Sequence, residues 1–205
     1  MITILDYGIG NLGSIANMLR KIGYPTLITS SSTDVMNASK LILPGVGAFD
    51  AGMSYLKKSG LLESLNLRAL EDKIPVLGIC LGAQLMTKGS EEGDEPGLGW
   101  LNATTRKFRL ESLPGRWPLP NIGWRDVNTV LPTPLLSGYE SAPRFYFVHS
   151  YHMVPEDNDI GAMTSSYGVE FVCGLRRDNL HCVQFHPEKS HRFGMQLLKN
   201  FAELI

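Results

Sequence analysis

Three side chains in this sequence could together carry out nucleophilic acyl chemistry: Cys80, His186 and Glu188. Cys80 lies in PVLGICLGAQ, residues 75–84, where an apolar strand pattern runs into Gly78-Ile79-Cys80-Leu81-Gly82 and then into a helical pattern. Small residues two before and two after a nucleophile allow a strained strand-to-helix turn that lifts the side chain above a sheet. The positive end of the following helix favours a thiolate there. Read alone, the same pattern fits a buried core cysteine beside two packing glycines.

A thiolate that attacks an amide needs a proton source for the leaving nitrogen, and QFHPEKS at 184–190 supplies one. Pro187 fixes the backbone between His186 and Glu188, so the carboxylate can reach the imidazole and set its tautomer and orientation. A histidine after a strand is, by itself, equally a structural or exposed residue. Cys80 and His186 each follow a strand pattern, however, and in a doubly wound sheet the strand C-termini converge on one ligand-binding edge. An oxyanion formed there needs donors. The backbone N–H of Leu81 is one, and the glycine-rich turn LPGVGAF at 43–49 could bring the other, although Gly45 and Gly47 also suit a plain turn.

A second pattern competes for attention. Gly8, Gly10 and Gly13 spell G-x-G-x-x-G in DYGIGNLGS, between a strand pattern and a helical one, the spacing that brings a pyrophosphate to a helix N-terminus. A dinucleotide site also wants an acidic residue at the end of the second strand. There the chain has Thr29, Ser30, Ser31 and Ser32, with Asp34 too late, so the glycines read better as a tight first turn.

The elements that must position these residues are legible in the hydrophobic pattern. Strand-like MITIL, TLIT, KLILP and IPVLGI alternate with helical patterns at 12–22, 49–57 and 61–72, as in βα units on a parallel sheet. From 98 to 177 the chain becomes rich in Pro, Gly and aromatics, with strand-like runs at 100–110, 122–130, 145–149, 160–164 and 170–175. This stretch reads as an antiparallel excursion. HCVQF at 181–185 is a further strand, and apolar spacing over 193–204 predicts a closing amphipathic helix. EEGDEPGLG at 91–99 is the most loop-like segment. The expected fold is α/β, a three-layer, doubly wound, mostly parallel sheet, forming one domain over residues 1–205.

Composition narrows the function classes. Of 205 residues, 43% are hydrophobic and 19% charged, and 19 Lys plus Arg against 20 Asp plus Glu leave a net charge of -1. No basic block marks a nucleic-acid surface. No apolar run approaches the roughly 18 residues of a membrane helix, and the N-terminus lacks a cationic leader, so a cytoplasmic protein is expected. Three cysteines in unlike surroundings argue against a disulfide framework. Cys173 and Cys182 sit in apolar strand patterns and read as core. His149, His152, His181 and His191 lack metal-ligand spacing and read as surface or satisfied core residues, so neither a metal nor a cofactor is expected.

LPGVGAF, GICLGAQ, FYFVHSYH and QFHPEKS, in that order between positions 43 and 190, resemble the class I, triad-type glutamine amidotransferases. DYGIGNLGS and PNIGW narrow the resemblance to the glutaminase subunits of imidazole glycerol phosphate synthases, over essentially the whole chain. That resemblance implies that Cys80 attacks glutamine to form a γ-glutamyl thioester, with His186 as proton carrier and Glu188 orienting it. It makes Gly45 to Gly47 the oxyanion strand, so that Val46 or Gly47 joins Leu81 as a donor. It assigns Gln84 and Glu92 to the glutamine head group, and His149, Ser150 and Tyr151 to the same pocket through their backbone. Glu92 also fits a solvated loop charge.

The resemblance further implies a partner, a (β/α)8-barrel cyclase subunit that receives the ammonia, with Asn11 near the docking edge. At two positions the chain departs from that pattern: Gly13, and Asn121 where a histidine often follows the proline. The variant segments also resemble paralogues that supply ammonia to a sugar amidotransferase in surface-polysaccharide synthesis.

Overall fold

The computed structural model describes residues 1–205. The first half runs β1 (Ile2–Leu5), α1 (Leu12–Lys21), β2 (Thr26–Thr29), α2 (Ser32–Met36), β3 (Lys40–Gly45), α3 (Phe49–Lys58), α4 (Leu62–Asn66), β4 (Val76–Cys80) and α5 (Leu81–Leu85). The second half is mostly strand: β5 (Ala103–Lys107), β6 (Asn121–Asp126), β7 (Asn128–Thr129), β8 (Arg144–His149), β9 (Tyr151–Pro155), β10 (Gly161–Tyr167), β11 (Val169–Arg177) and β12 (Leu180–Val183). The chain closes with α6 (His191–Leu204).

Eight strands form one sheet in the order β2-β1-β3-β4-β12-β11-β10-β7. The five from β2 to β12 pair in parallel, and β11, β10 and β7 extend the sheet antiparallel. β3 from Leu41 onward and all of β4 are continuous apolar runs because a parallel sheet covered on both faces buries side chains of both sides. Alternate residues feed two cores. Ile4, Ile42, Leu77 and Ile79 pack with Ile15 and Leu19 of α1 and Leu197, Leu198 and Phe201 of α6. Leu5, Leu41 and Leu43 pack on the opposite face with Val35, Phe49, Met53, Leu56 and Leu65. This is the three-layer, doubly wound arrangement expected from the sequence.

The excursion is less regular than its hydrophobic pattern. Among the strands, β5 pairs only with β9 and β6 only with β8, as separate two-stranded ribbons, with Thr105 of β5 also bridging Ser90. The run 100–110 shortens to β5, and 122–130 divides into β6 and β7 around the buried Val127. β9 follows β8 after one residue, so Tyr151 begins a strand of its own just past the end of the expected one. The helical pattern at 61–72 divides as well, α4 passing into a π-turn over Leu67–Glu71, closed by Asp72 N–H donating to the Leu67 carbonyl at 3.0 Å. No helix is long and apolar enough to cross a membrane.

The topology that matters for chemistry is the run β3-β4-β12. Gly45 is opposite Cys80, and Ile79 is opposite Val183. The glycine-rich turn, the cysteine and the segment leading to His186 therefore leave the same sheet edge side by side.

Candidate active site

Cys80 closes β4 and caps α5 with φ 53° and ψ −111°, a conformation that L-residues rarely adopt. Its neighbours are what make the turn fit. A Cβ on Gly82 would fall 1.9 Å from the Leu43 carbonyl oxygen, and one on Gly78 would fall 2.6 Å from Met86 Sδ and 2.9 Å from Ala83 Cα. The two small residues of the sequence pattern thus allow α5 to press against β3 and fold back on its own strand. Gly45 belongs to the same contact: a Cβ there would meet Gly82 N at 2.7 Å.

His186 leaves the end of β12 and is held by backbone bonds. Its N–H donates to the Tyr146 carbonyl at 2.9 Å, and its carbonyl accepts from the Ser190 hydroxyl at 2.6 Å. Ser190 also accepts from Tyr146 N–H at 3.0 Å, tying the segment to β8. Pro187 begins a 3-10 turn, Pro187–Lys189, which returns Glu188 to the imidazole. His186 Nδ1 lies 2.8 Å from Glu188 Oε1, with the two side chains 4% and 2% exposed. A carboxylate accepts only, so Nδ1 carries the proton and the other ring nitrogen is left for Cys80. Burial alone would lower the pKa of His186. Hydrogen bonding to Cys80 and Glu188, and the negative charge of both, outweigh it and raise the pKa to about 10. At neutral pH the ring is an imidazolium, placed to give a proton to a departing group at Cys80.

These groups open into a cavity of about 310 Å³, lined by Val46, Gly47, Cys80, Leu81, Gln84, Glu92, Pro120, Val148, His149, Ser150, Tyr151, His186 and Lys189. Every site residue expected from the sequence lines this cavity except two, which the close packing around them explains. Gly45 is buried in β3 beneath the turn, and Glu188 sits behind His186. Glu92 does more than a solvated loop charge would: its Oε2 accepts from Phe49 N–H at 2.8 Å at the start of α3. The rest of its loop is tied to the same helix through the Asp50 carboxylate, which accepts from the N–H groups of Asp94 and Glu95, both at 3.0 Å.

Two further residues join the site. Gln184, fully buried, points its Nε2 at Cys80 Sγ across 3.8 Å and accepts from Gln84 Nε2 at 3.0 Å. No local spacing marks it: the chain bends at 184 and 185 after β12 ends at Val183, and the contact depends on β12 lying beside β4. Asn121 is also fully buried, and its Nδ2 lies 3.0 Å from His149 Nε2. Burial holds the pKa of His149 down to about 3, with the charges of His152, His186 and Arg125 adding to the effect, so the ring is neutral.

The remaining sequence features resolve differently. Gly8 and Gly10 have φ of 100° and 124° and form a tight turn in which Gly8 N–H donates to Asp6 Oδ1 at 3.1 Å. Gly13 lies within α1, and a Cβ there would meet nothing within 4 Å, so the third glycine of the pattern is not needed for helix–strand packing. Asp34 is engaged locally, accepting from the Thr29 hydroxyl at 2.7 Å. Cys173 and Cys182 are buried core residues, and burial raises the pKa of both thiols. His152 and His181 are the exceptions to satisfied histidines: Nδ1 of each is buried without a partner, and burial lowers the pKa of both, that of His181 to about 4.

The family model described as "Glutamine amidotransferase class-I" matches residues 3–204. The chain belongs to that family. Among class-I glutamine amidotransferases, it is 49% identical over 205 residues to "Imidazole glycerol phosphate synthase subunit HisH 2" of Pseudomonas aeruginosa, with 100% of both chains covered. It is 48% identical over 203 residues to a protein of the same name from Methanococcus maripaludis, covering 99% of each. Among solved structures, "Structure of PurLQS from Thermotoga maritima" superposes with a TM-score of 0.75 over 99% of this chain and 97% of that one. Their identity is 17%, so that likeness bears on the fold alone.

Proposed function

We propose that this glutamine amidotransferase is the glutaminase subunit of an imidazole glycerol phosphate synthase, a single cytoplasmic domain that passes ammonia to a cyclase subunit in histidine biosynthesis. The observation that carries the chemistry is the strained Cys80 beside a His186 imidazolium held by Glu188 at 2.8 Å. Full-length relatives at 41–49% identity that bear the name of this subunit support the biological assignment.

In this reading Cys80 Sγ attacks the side-chain amide carbon of glutamine. The carbonyl π electrons move to oxygen, stabilised by Leu81 N–H and by an N–H of Val46 or Gly47. Collapse of the adduct breaks the C–N bond. His186 gives its proton to the departing nitrogen, releasing ammonia and leaving a γ-glutamyl thioester with a neutral imidazole. A water then loses a proton to His186 and attacks the thioester, the C–S bond breaks, and glutamate leaves with thiolate and imidazolium restored. Glu188 keeps the reactive ring nitrogen directed at Cys80 throughout. Gln84, Glu92 and the His149–Tyr151 segment hold the amino-acid end of the substrate.

Ammonium at neutral pH is a poor nucleophile, so the product must reach its acceptor protected from water. The proposed recipient is a (β/α)8-barrel cyclase, docked where Val46, 40% exposed, leaves the oxyanion turn open on the surface. The turn reaches its productive form on docking, and the chain alone turns over slowly.

The test is glutamate release from glutamine with the partner and its acceptor ligand present. Wild type is active, and Cys80→Ala is not; activity surviving in Cys80→Ala would overturn the reading. The protein that co-purifies with the chain decides the acceptor. A barrel cyclase supports histidine biosynthesis, and an adenylating sugar amidotransferase overturns it.

A further inference from the structure

Behind the cavity wall runs a chain of hydrogen bonds whose direction is set at one end. Arg125 Nε donates to Asn121 Oδ1 at 3.1 Å. Asn121 Nδ2 meets His149 Nε2 at 3.0 Å, and His149 Nδ1 meets the Tyr151 carbonyl oxygen at 2.7 Å. That carbonyl also accepts from Gln84 Nε2 at 3.3 Å, and Gln84 Nε2 donates again to Gln184 Oε1 at 3.0 Å. Asn121 and Gln184 are 0% exposed, and Gln84 and His149 are 6% exposed.

A guanidinium has donors and no acceptor. Arg125 therefore fixes the Asn121 amide with its oxygen outward and its NH2 toward His149. His149 Nε2 must accept, so its proton sits on Nδ1, where the Tyr151 carbonyl can receive it. With both hydrogens of Gln84 Nε2 committed to Tyr151 and Gln184, Gln84 Oε1 is left to face the cavity.

We propose that Asn121 is a positioning residue for the glutamine pocket: by fixing the His149 tautomer it holds the Tyr151 carbonyl, and with it the orientation in which Gln84 presents an acceptor to bound substrate. This rests on the glutamine reading of the cavity. It also gives a role to a position where the sequence departs from the pattern it otherwise resembles. The β6–β8 register makes the contact possible, since Asn121 lies directly opposite His149. Asn121 touches no reacting atom; its effect reaches the substrate through two other side chains.

Asn121→Asp is isosteric and can only accept, so it requires a proton on His149 Nε2. Two measurements test the proposal. The 15N shifts of the His149 ring in the wild-type chain are expected to show a protonated Nδ1 and a bare Nε2, and Asn121→Asp is expected to protonate Nε2. Inactivation by the diazo-oxo-norleucine analogue of glutamine, which alkylates Cys80, separates binding from chemistry. In Asn121→Asp the half-saturating concentration should rise about tenfold, the effect of one net hydrogen bond, with the maximal rate within about twofold. Asn121→His, which can both accept from Arg125 and donate to His149, should restore it.

A wild-type Nε2–H tautomer overturns the proposal, and that measurement needs no variant to fold. So does an unchanged half-saturating concentration in Asn121→Asp. If iodoacetamide alkylates wild-type Cys80 but the glutamine analogue does so without saturating, the glutamine reading itself fails and takes this role with it, whatever the tautomer.

Discussion

Gly82 lies so close to Leu43 that a single added Cβ would sit 1.9 Å from the Leu43 carbonyl oxygen. The obstacle is backbone on a buried strand and cannot rotate away. Gly82→Ala is therefore expected to push α5 off β3, at a cost at or above the upper end of the roughly 1–3 kcal/mol usual for overpacking. Thermal unfolding should fall by about 2–4 °C for each kcal/mol in a chain of this size. An unchanged midpoint with normal Cys80 alkylation would show that the elbow tolerates a side chain.

The φ of 53° at Cys80 predicts an unusual order of stabilities. Strain in such a region costs about 1–3 kcal/mol for a residue with a Cβ, whereas glycine loses only about 0.5–1 kcal/mol through unfolded-state entropy. Both Cys80→Gly and Cys80→Ala lack the nucleophile. The glycine variant should nevertheless unfold at the higher temperature, although it buries less surface. Scanning calorimetry of the two variants checks this, and a more stable alanine variant would mean that the turn is not strained.

The His186–Glu188 pair predicts a pH dependence with a definite sign. The pKa of His186 rises on folding, from 6.5 to about 10, so its stabilisation is complete below about 6.5 and is lost as pH climbs toward 10. Glu188→Gln keeps an acceptor for Nδ1 but removes the charge. In that variant the His186 midpoint, followed by its ring proton shifts, should move down by at least about one unit. Wild type should lose more stability than the variant between pH 7 and 10. Equal slopes would separate Glu188 from the titration.

Glu92 accepts from Phe49 N–H and also lines the cavity, and substitution can separate the two. Glu92→Gln retains an oxygen for Phe49 N–H and removes only the charge that faces the cavity. Its unfolding midpoint should stay near wild type while the half-saturating concentration of the glutamine analogue rises about tenfold or more, the loss of one charged hydrogen bond. Glu92→Ala should also lose the helix cap, about 1 kcal/mol. Equal analogue binding in wild type and Glu92→Gln would remove Glu92 from the substrate site.

Much of the site was legible because its signals are local. Gly78-x-Cys80-x-Gly82 specifies a turn within five residues, and His186-Pro187-Glu188 specifies a pair within three. Parallel strands announced themselves as continuous apolar runs, and this led directly to β3 and β4. The G-x-G-x-x-G spacing was misleading alone, since only Gly8 and Gly10 have the backbone conformation that demands glycine, and Gly13 has open space around it.

The residue types thus determined, by themselves, a cysteine at a strand-to-helix turn, a histidine with its carboxylate, and a doubly wound sheet to carry them. Tertiary structure alone decided what surrounds them. Gln184 reaches Cys80 because β12 runs beside β4 in one register, and Asn121 reaches His149 because β6 pairs with β8 in another. Strand register is a long-range choice between segments far apart in the chain, and no local spacing encodes it. The direction of the buried hydrogen bonds was equally hidden, because it depends on which donor, here Arg125, lies at the end of the chain.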